Sequence, residues 1–451
     1  MAVVERAAEV GGYARPERRG QYMLDPSSCE LPRGVDDELR DGLLRHLGAD
    51  GCTFSAPELL YRAAFPDLSI DVPFGLAGVA SAYAERFPRE RAAVERFLAL
   101  CEQLLEDAHQ LPIQLSLADL DAAAARFPTF FRYSGVTLAD ALDEQFGDAR
   151  LKAALAVSWP KAGLPPSRLS FATFAQGLAL HAKGTLQCHG GWGPLVHALA
   201  DGLAGAGGQV LLEHEAVRIV VRDGRVAGVT LADGSTIAAP VVVSNAPAPE
   251  TLERLVGLEL LPARFVRRLR RLRPSGSCFV LFAATSLDLP ELGAAPETFL
   301  GDWNGWVSVP TLLDPTVAPA GAHLVVLRAL APHDRPWEQE RSEWVERLLA
   351  RLEQLHPGIR ASLTLVESLT PHDLASRSGS ASGAAFGWEN SPTQTGGRRL
   401  GIATPVDGLY LAGQWTQPGH GAYRALLSGM HAARAITAAG GEMDAVPDFR
   451  R

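Results

Sequence analysis

Three side chains have the type and setting to act on a reacting group: His189, His420 and Tyr423. His189 precedes Gly190-Gly191, His420 lies between Gly419 and Gly421, and Tyr423 follows two residues later. Either histidine, or the tyrosine, can reach a bound ring from such a place, and each is equally compatible with a packed or hydrogen-bonded structural role. Metal chemistry has no comparable signal. The cysteines at 29, 52, 101, 188 and 278 are scattered, no C-x-x-C occurs, and an odd count argues against a disulfide framework. They read as reduced thiols. The element that positions His420 and Tyr423 says more than the side chains do. An apolar strand, Leu409 to Ala412, ends at Gly413, where no Cβ obstructs a close approach. The turn Pro418 to Gly421 follows, then a small-residue helix from about Ala422 to Ala438. That layout aims the free N–H groups of a helix start at whatever covers the loop, which suits an anion or the electron-rich edge of a ring. An ordinary strand–turn–helix of an α/β sheet has the same outline.

The opposite end carries a second signal. Met1-Ala-Val-Val-Glu5 reads as a short strand with an acid at its tip, followed by Gly11-Gly12-Tyr13. A strand-tip acid can accept hydrogen bonds from ribose hydroxyls; alone, it reads equally as a solvated carboxylate. Between the ends, Gln187 to Gly193 forms a glycine-rich turn before a helix from Pro194 to Ala206. Strands follow at Gln209 to Glu213, Ala216 to Arg222, Arg225 to Leu231 and Thr236 to Ser244, with Asp223-Gly224 and Asp233-Gly234 as hairpin turns. A plain surface meander fits that pattern as well.

In order and spacing these segments, spread over nearly the whole chain, resemble the phytoene desaturase-like FAD oxidoreductases. The resemblance implies an α/β fold: a discontinuous Rossmann-like FAD domain (1–55, 185–254 and 386–445) with an α+β substrate or cap domain (56–184 and 255–385). It implies FAD as cofactor. Glu5 becomes the ribose ligand, Gly11, Gly12 and Tyr13 the segment passing close to the phosphates, and Val217 a backbone contact to adenine. Ser244-Asn245-Ala246 closes the return to the sheet, and Gly413, Gln414, Gly419, Gly421 and Ala422 form the flavin segment. Two departures stand out. Gln414 replaces a frequent acid, and Gly419-His420-Gly421-Ala422-Tyr423 replaces the usual Gly-Gly-Gly-x-Pro, so His420 and Tyr423 either reach the reacting face or pack against the cap.

The activity implied is hydride transfer from a C–H bond of an apolar, polyene-like substrate to flavin N5, leaving a new double bond, with oxygen or a quinone reoxidising the flavin. Within the same fold the alternatives are a polyene isomerase or saturase, and an amine oxidase with Trp415 and Tyr423 as an aromatic pair. From another class comes a non-catalytic binding or partner protein. A further departure bears on that choice: the sequence contains no Gly-x-Gly-x-x-Gly. The family places the first strand, that turn and the first helix, roughly 30 residues, ahead of the acidic strand. Their absence is expected to reflect a start at an internal codon, a valine codon read as Met1; an in-frame upstream Gly-x-Gly-x-x-Gly tests this.

Composition bounds the rest. Hydrophobic residues at 47% and charged residues at 21% of 451 are those of a globular protein, and a net charge of −9 lends no support to a nucleic-acid partner. Lysine occurs only at 152, 161 and 183, an arginine bias that suggests a GC-rich bacterial genome. No apolar run of about 18 residues appears, so the expectation is a cytoplasmic protein. The arginine-rich stretch Arg267 to Arg273 reads as a solvated helix face, or as a peripheral contact with anionic lipid. Helices are expected at Asp36 to Leu47, Tyr83 to His109, Ile113 to Phe127, Thr137 to Val157 and Trp337 to His356, with 56–181 mostly helical and Gly20 to Gly34 a loop. Strands are expected at Ser277 to Ala284 and His323 to Ala329.

Overall fold

A computed structural model describes residues 1–27, 30–33, 37–111, 119–288 and 297–440. Cys29 and the start of the stretch read as helical from Ile113 lie outside the described residues. The largest element is a seven-stranded sheet in the order Leu363–Leu369, Ser277–Thr285, His323–Ala331, Gly305–Ser308, Glu297–Leu300, Leu59–Phe65, Leu68–Pro73. All neighbours are antiparallel except Glu297–Leu300 with Leu59–Phe65.

Strand Ser277–Thr285 is buried at every position, because both faces of the sheet are covered there. With a side-chain period of two, Cys278, Val280 and Phe282 enter one core with helices Arg91–Gln110 and Phe171–Ala182. Phe279, Leu281 and Ala283 enter the other, beneath helix Trp337–Leu355. There Phe279 packs against Trp337 at 5.7 Å and Trp344 at 5.5 Å between ring centroids.

Beside this sheet lie two short parallel pairs: Ala2–Val4 with Gln209–Leu211, and Val242–Ser244 with Leu409–Leu411. The meander Ala216–Arg222, Arg225–Leu231, Thr236–Ala238 stands between them in sequence. Its first turn has positive φ at both Asp223 and Gly224, the backbone that an Asp-Gly hairpin turn requires.

The expected elements appear with breaks that have local causes. The helix expected from Tyr83 divides at Pro88 into Leu76–Arg86 and Arg91–Gln110, since the residue before proline is driven out of the helical region. Thr137 to Val157 divides into Leu138–Gln145 and Ala149–Ala156, each with its own cap from Thr137 or Asp148. The strand expected from Thr236 to Ser244 is interrupted around Pro240, which has no N–H for a ladder. Two expectations are corrected. Leu59–Phe65 and Leu68–Pro73 form a hairpin inside the stretch read as mostly helical, and Glu17–Arg19 with Tyr22–Leu24 forms another at the edge of the expected loop. Among the described residues no helix is long and apolar enough to cross a membrane.

Phe279 is fully buried among two indoles. Phe279→Ala is expected to cost about 3–5 kcal/mol, read as a lower midpoint in a guanidinium titration with loss of near-ultraviolet tryptophan signal.

Candidate active site

Strand Leu409–Leu411 runs parallel to Val242–Ser244, and Ala412 N–H continues the ladder to the Ser244 carbonyl at 2.9 Å. The chain then turns at Gly413, with φ +87°. A Cβ there would come within 2.0 Å of Asn245 Oδ1, so only glycine fits. The Gly413 N–H is held by Ser428 Oγ of helix Ala422–Gly440 at 2.6 Å, which fixes the helix against the strand end. Gly419 and Gly421 have φ of +122° and +100°; a Cβ on Gly421 would meet nothing within 4 Å, so the loop opens onto space just ahead of the helix.

The amino-terminal segment meets this loop. Glu5 N–H bonds the Leu211 carbonyl at 2.9 Å, and the Glu5 Oε1 accepts Ala7 N–H at 2.8 Å, which tightens the strand tip. Gly11 and Gly12 take positive φ and lead into a short 3₁₀ turn, Gly12–Ala14. Tyr13 donates to the Ala384 carbonyl at 2.7 Å. Burial pushes its pKa up to about 12, with Ser378 and Gln414 beside the phenol opposing. Tyr13 and Gln414, from opposite ends of the chain, are thus neighbours. Val217 sits at a bulge between the pairs Ala216–Leu231 and Arg218–Thr230, without a ladder partner of its own.

Buried polar atoms without a hydrogen-bond partner concentrate here: Gln414 Nε2, Trp415 Nε1, Gln417 Oε1 and Trp388 Nε1. Such atoms cost free energy unless a further group satisfies them. With the space above Gly421 and the bulge at Val217, they suit a polar, ring-bearing ligand laid over the loop and reaching toward the strand tips.

The three candidate reacting side chains have different settings. His420 lies against Phe386, 5.4 Å between centroids. Its tautomer follows from its partners. Arg399, a donor only, gives Nη2–H to Asn390 Oδ1 at 2.9 Å, so the Asn390 amide nitrogen is the atom facing His420 Nδ1 at 3.2 Å. Nδ1 therefore accepts, and the proton resides on Nε2. Burial, with Arg424 and Arg399 close by, lowers the pKa to about 3, the Lys161 carbonyl opposing. His420 is a neutral, clamped ring.

Tyr423 is buried with Leu31, Leu44, Cys188, Trp192 and Leu195. His189 lies 2.5 Å from Ser55 Oγ through Nε2 and 4.0 Å from the fully buried Asp314 through Nδ1. The glycine turn after it is held by two carboxylates. Asp314 accepts Gly190 N–H, and Asp25 accepts Trp192 N–H at 3.2 Å.

Sequence reading missed the charged groups between these parts. Arg399 is buried, giving hydrogen bonds to the Gln414 and Trp388 carbonyls and Asn390; burial, with Arg424 nearby, lowers its pKa to about 9. Lys161 pairs with both Glu30, at 2.9 Å, and Glu297. Burial alone would lower the Lys161 pKa, but Glu297 and Glu30 outweigh it and hold it above the ordinary lysine range. These residues come from segments far apart in sequence, with no common spacing. The one available signal was Lys161 itself, a rare lysine in an arginine-rich chain. Glu30 and Glu297 border a cavity of about 40 Å³ between the sheet face at Leu324, Val326 and Arg328 and the turn at Gly191. Among the described residues no group of His, Cys, Asp and Glu could hold a metal ion.

Residues 3–437 match the family described as flavin containing amine oxidoreductase. Prolycopene isomerase 2, chloroplastic, of an Oncidium hybrid cultivar is 26% identical over 97% of this chain and 80% of its own length. Phytoene dehydrogenase of Streptomyces griseus is 28% identical over 97% of this chain and 90% of its own. An oxidoreductase structure from Methanosarcina mazei superposes with a TM-score of 0.68 at 19% identity, covering 96% of this chain and 94% of that one, a likeness of fold.

His181 shares the acid response of His420. Burial and Lys161 lower its pKa to about 4, the Gly177 carbonyl opposing. Both folded values lie below the ordinary histidine value near 6.5, so the unfolded chain binds the extra protons. Stability is then complete above about pH 6.5 and falls as the pH drops toward 4. Denaturant unfolding at pH 7 and 4.5 is expected to show a loss on the order of 2 kcal/mol per histidine, and His420→Gln or His181→Gln to flatten that slope.

Proposed function

From the chain's membership of the flavin containing amine oxidoreductase family, we propose that it dehydrogenates an apolar, polyene-like substrate, with FAD as the cofactor. The protein is an FAD-dependent oxidoreductase of the carotenoid desaturase type. The observation that carries this reading is the match over residues 3–437, joined with curated relatives, a phytoene dehydrogenase among them, that align with 97% of the chain.

The residues that would hold FAD are Glu5 and the Val217 backbone at the adenosine end, Gly11, Gly12 and Tyr13 along the way, and Gly413, Gln414, Gly419, Gly421 and Ala422 at the ring. They belong to an FAD-binding unit of 1–55, 185–254 and 386–445, against a substrate unit of 56–184 and 255–385. Bound there, FAD supplies a two-electron oxidant. Gln414 Nε2, beside the Tyr13 phenol but without a close partner, can turn to donate to the ligand. The start of helix Ala422–Gly440, with Arg424 in its first turn, favours negative charge over the loop. His420 packs and orients. The sheet face bearing Leu324 and Val326 excludes water on the substrate side.

An amine substrate finds less support. Trp415 is buried edge-to-face against Trp388 at 5.0 Å, and Tyr423 lies within a core cluster, so neither frames an open ring. We place the protein in the cytoplasm with peripheral membrane contact. Arg264, Arg267, Arg270 and Arg271 are exposed about helix Ala263–Leu269, a basic surface suited to anionic lipid from which an apolar substrate partitions.

The purified chain is expected to carry the near-ultraviolet and blue bands of oxidised flavin, and anaerobic addition of phytoene in lecithin vesicles to bleach the blue band while a more conjugated polyene appears. A colourless folded protein would overturn the reading. Gly421→Val, which places a β-branched side chain in the open space at φ +100°, is expected to lower FAD content at least tenfold.

A further inference from the structure

Building on the flavin redox reading above, we propose that Glu297 is the proton acceptor of this site, kept in place by Lys161 and Glu30. Removing hydrogen from adjacent carbons requires two departures. The hydride, with its two electrons, would leave one carbon for an oxidised flavin held by the loop of Gly413, Gln414, Gly419, Gly421 and Ala422. The proton leaves the neighbouring carbon, and that C–H electron pair becomes the second bond of the new alkene. His420 offers no place for the proton, because Nδ1 already accepts from Asn390 and Nε2 carries its own hydrogen.

Glu297 opens strand Glu297–Leu300 and is 4% exposed. With Glu30 it borders the small cavity whose opposite side is the apolar sheet face of Leu324 and Val326. A cavity of about 40 Å³ has room for one water, through which a proton could pass. Two carboxylates here share one ammonium, Lys161. Like charges crowded out of water favour uptake of a proton by one of the two, while Lys161 and Arg328 oppose it.

The charged and titratable groups facing Glu297 are Glu30, Lys161, Arg328 and His181, from four separate elements. Burial and then Glu30 raise the Glu297 pKa, while Lys161 and Arg328 oppose. A carboxylate whose pKa is raised is a stronger base than an exposed one. Position agrees. Lys161 meets the acid pair through its ammonium, and its carbonyl acts on His420 in the flavin-contacting loop. One residue therefore joins the proton-accepting groups to the ring-binding turn. In the step itself, a Glu297 oxygen forms an O–H bond as the substrate C–H bond breaks.

Two measurements on the full chain test this. Infrared difference spectra between pH 5 and 9 need no substrate. The wild type is expected to show a protonated carboxyl titrating above the ordinary carboxylate range, and Glu297→Gln to lack it. Absence of that band in the wild type, or its persistence in the variant, overturns the proposal. The second is the rate of flavin reduction by phytoene in lecithin vesicles, followed without oxygen. Glu297→Gln is expected to retain its flavin spectrum but to be slowed about 100-fold, and Glu297→Asp to recover part of the rate with a shifted acid limb in the pH profile. A Gln variant within twofold of wild type overturns the proposal, and so does an Asp variant with an unshifted limb. If wild-type flavin is not reduced by phytoene, the redox reading fails separately, and the infrared band alone then decides whether Glu297 holds the proton.

Discussion

Arg328 is the buried cation on which the rest of the site depends. It belongs to the strand next to the sheet centre and is only 4% exposed, and its guanidinium donates to Ser308 Oγ at 2.8 Å. The remaining bonds go to the carbonyls of Asp25, Pro26 and Ser27. A guanidinium taken out of water needs such a full set of acceptors. Meeting that need fastens the loop after Tyr22–Leu24 to the sheet. Asp25 is thereby delivered to Trp192 N–H, which sets the glycine turn of residues 190–193. The sheet can hold Arg328 in place because neighbouring side chains alternate into two separate cores, so a one-residue slip would exchange their faces.

The electrostatics of the site are uneven. On the loop side, Arg399 and Arg424 stand near helix Ala422–Gly440 with the neutral rings of His181 and His420. Arg399 is satisfied by carbonyl and amide oxygens, so its charge is solvated without being cancelled. On the cavity side, Glu30 and Glu297 share Lys161, with Arg328 facing them from the sheet. On the proposed reading, the cofactor that gains electrons lies on the first side and the released proton goes to the second.

Much of the fold was legible because its signals are local. The continuous apolar run of Ser277 to Thr285, the Asp223-Gly224 turn and the 3.6-residue pattern of Trp337 to Leu355 each place an element to within a residue or two. The hairpin of Leu59 to Pro73 was not legible. Its strands lie at a sheet edge among helices, and its turn of Pro66-Asp67 is not an Asn-Gly or Asp-Gly signal. The glycine loops could be read from sequence, since positive φ selects glycine wherever it falls. The charges could not. Lys161 meets Glu30 across 131 residues and Glu297 across 136, a pairing that only the tertiary fold creates. His420 illustrates the limit from the other direction. Its place between two glycines was visible, but its protonation state is decided by Arg399 acting through Asn390.

The same charge distribution bears on which substrates the fold selects. An amine oxidised by a flavin must bring its nitrogen close to the ring, and as an ammonium it would approach the side occupied by Arg399 and Arg424. Unit charges about 4 Å apart repel by roughly 4 kcal/mol at an effective dielectric of 20, enough to lower binding by about three orders of magnitude. A hydrocarbon pays no such penalty. Its needs are a dry wall and an exit for one proton, the roles proposed above for the face of Leu324 and Val326 and the carboxylates that line the same cavity. Within a family described by amine chemistry, the cationic loop of this chain thus favours an uncharged substrate, in keeping with its polyene-named relatives.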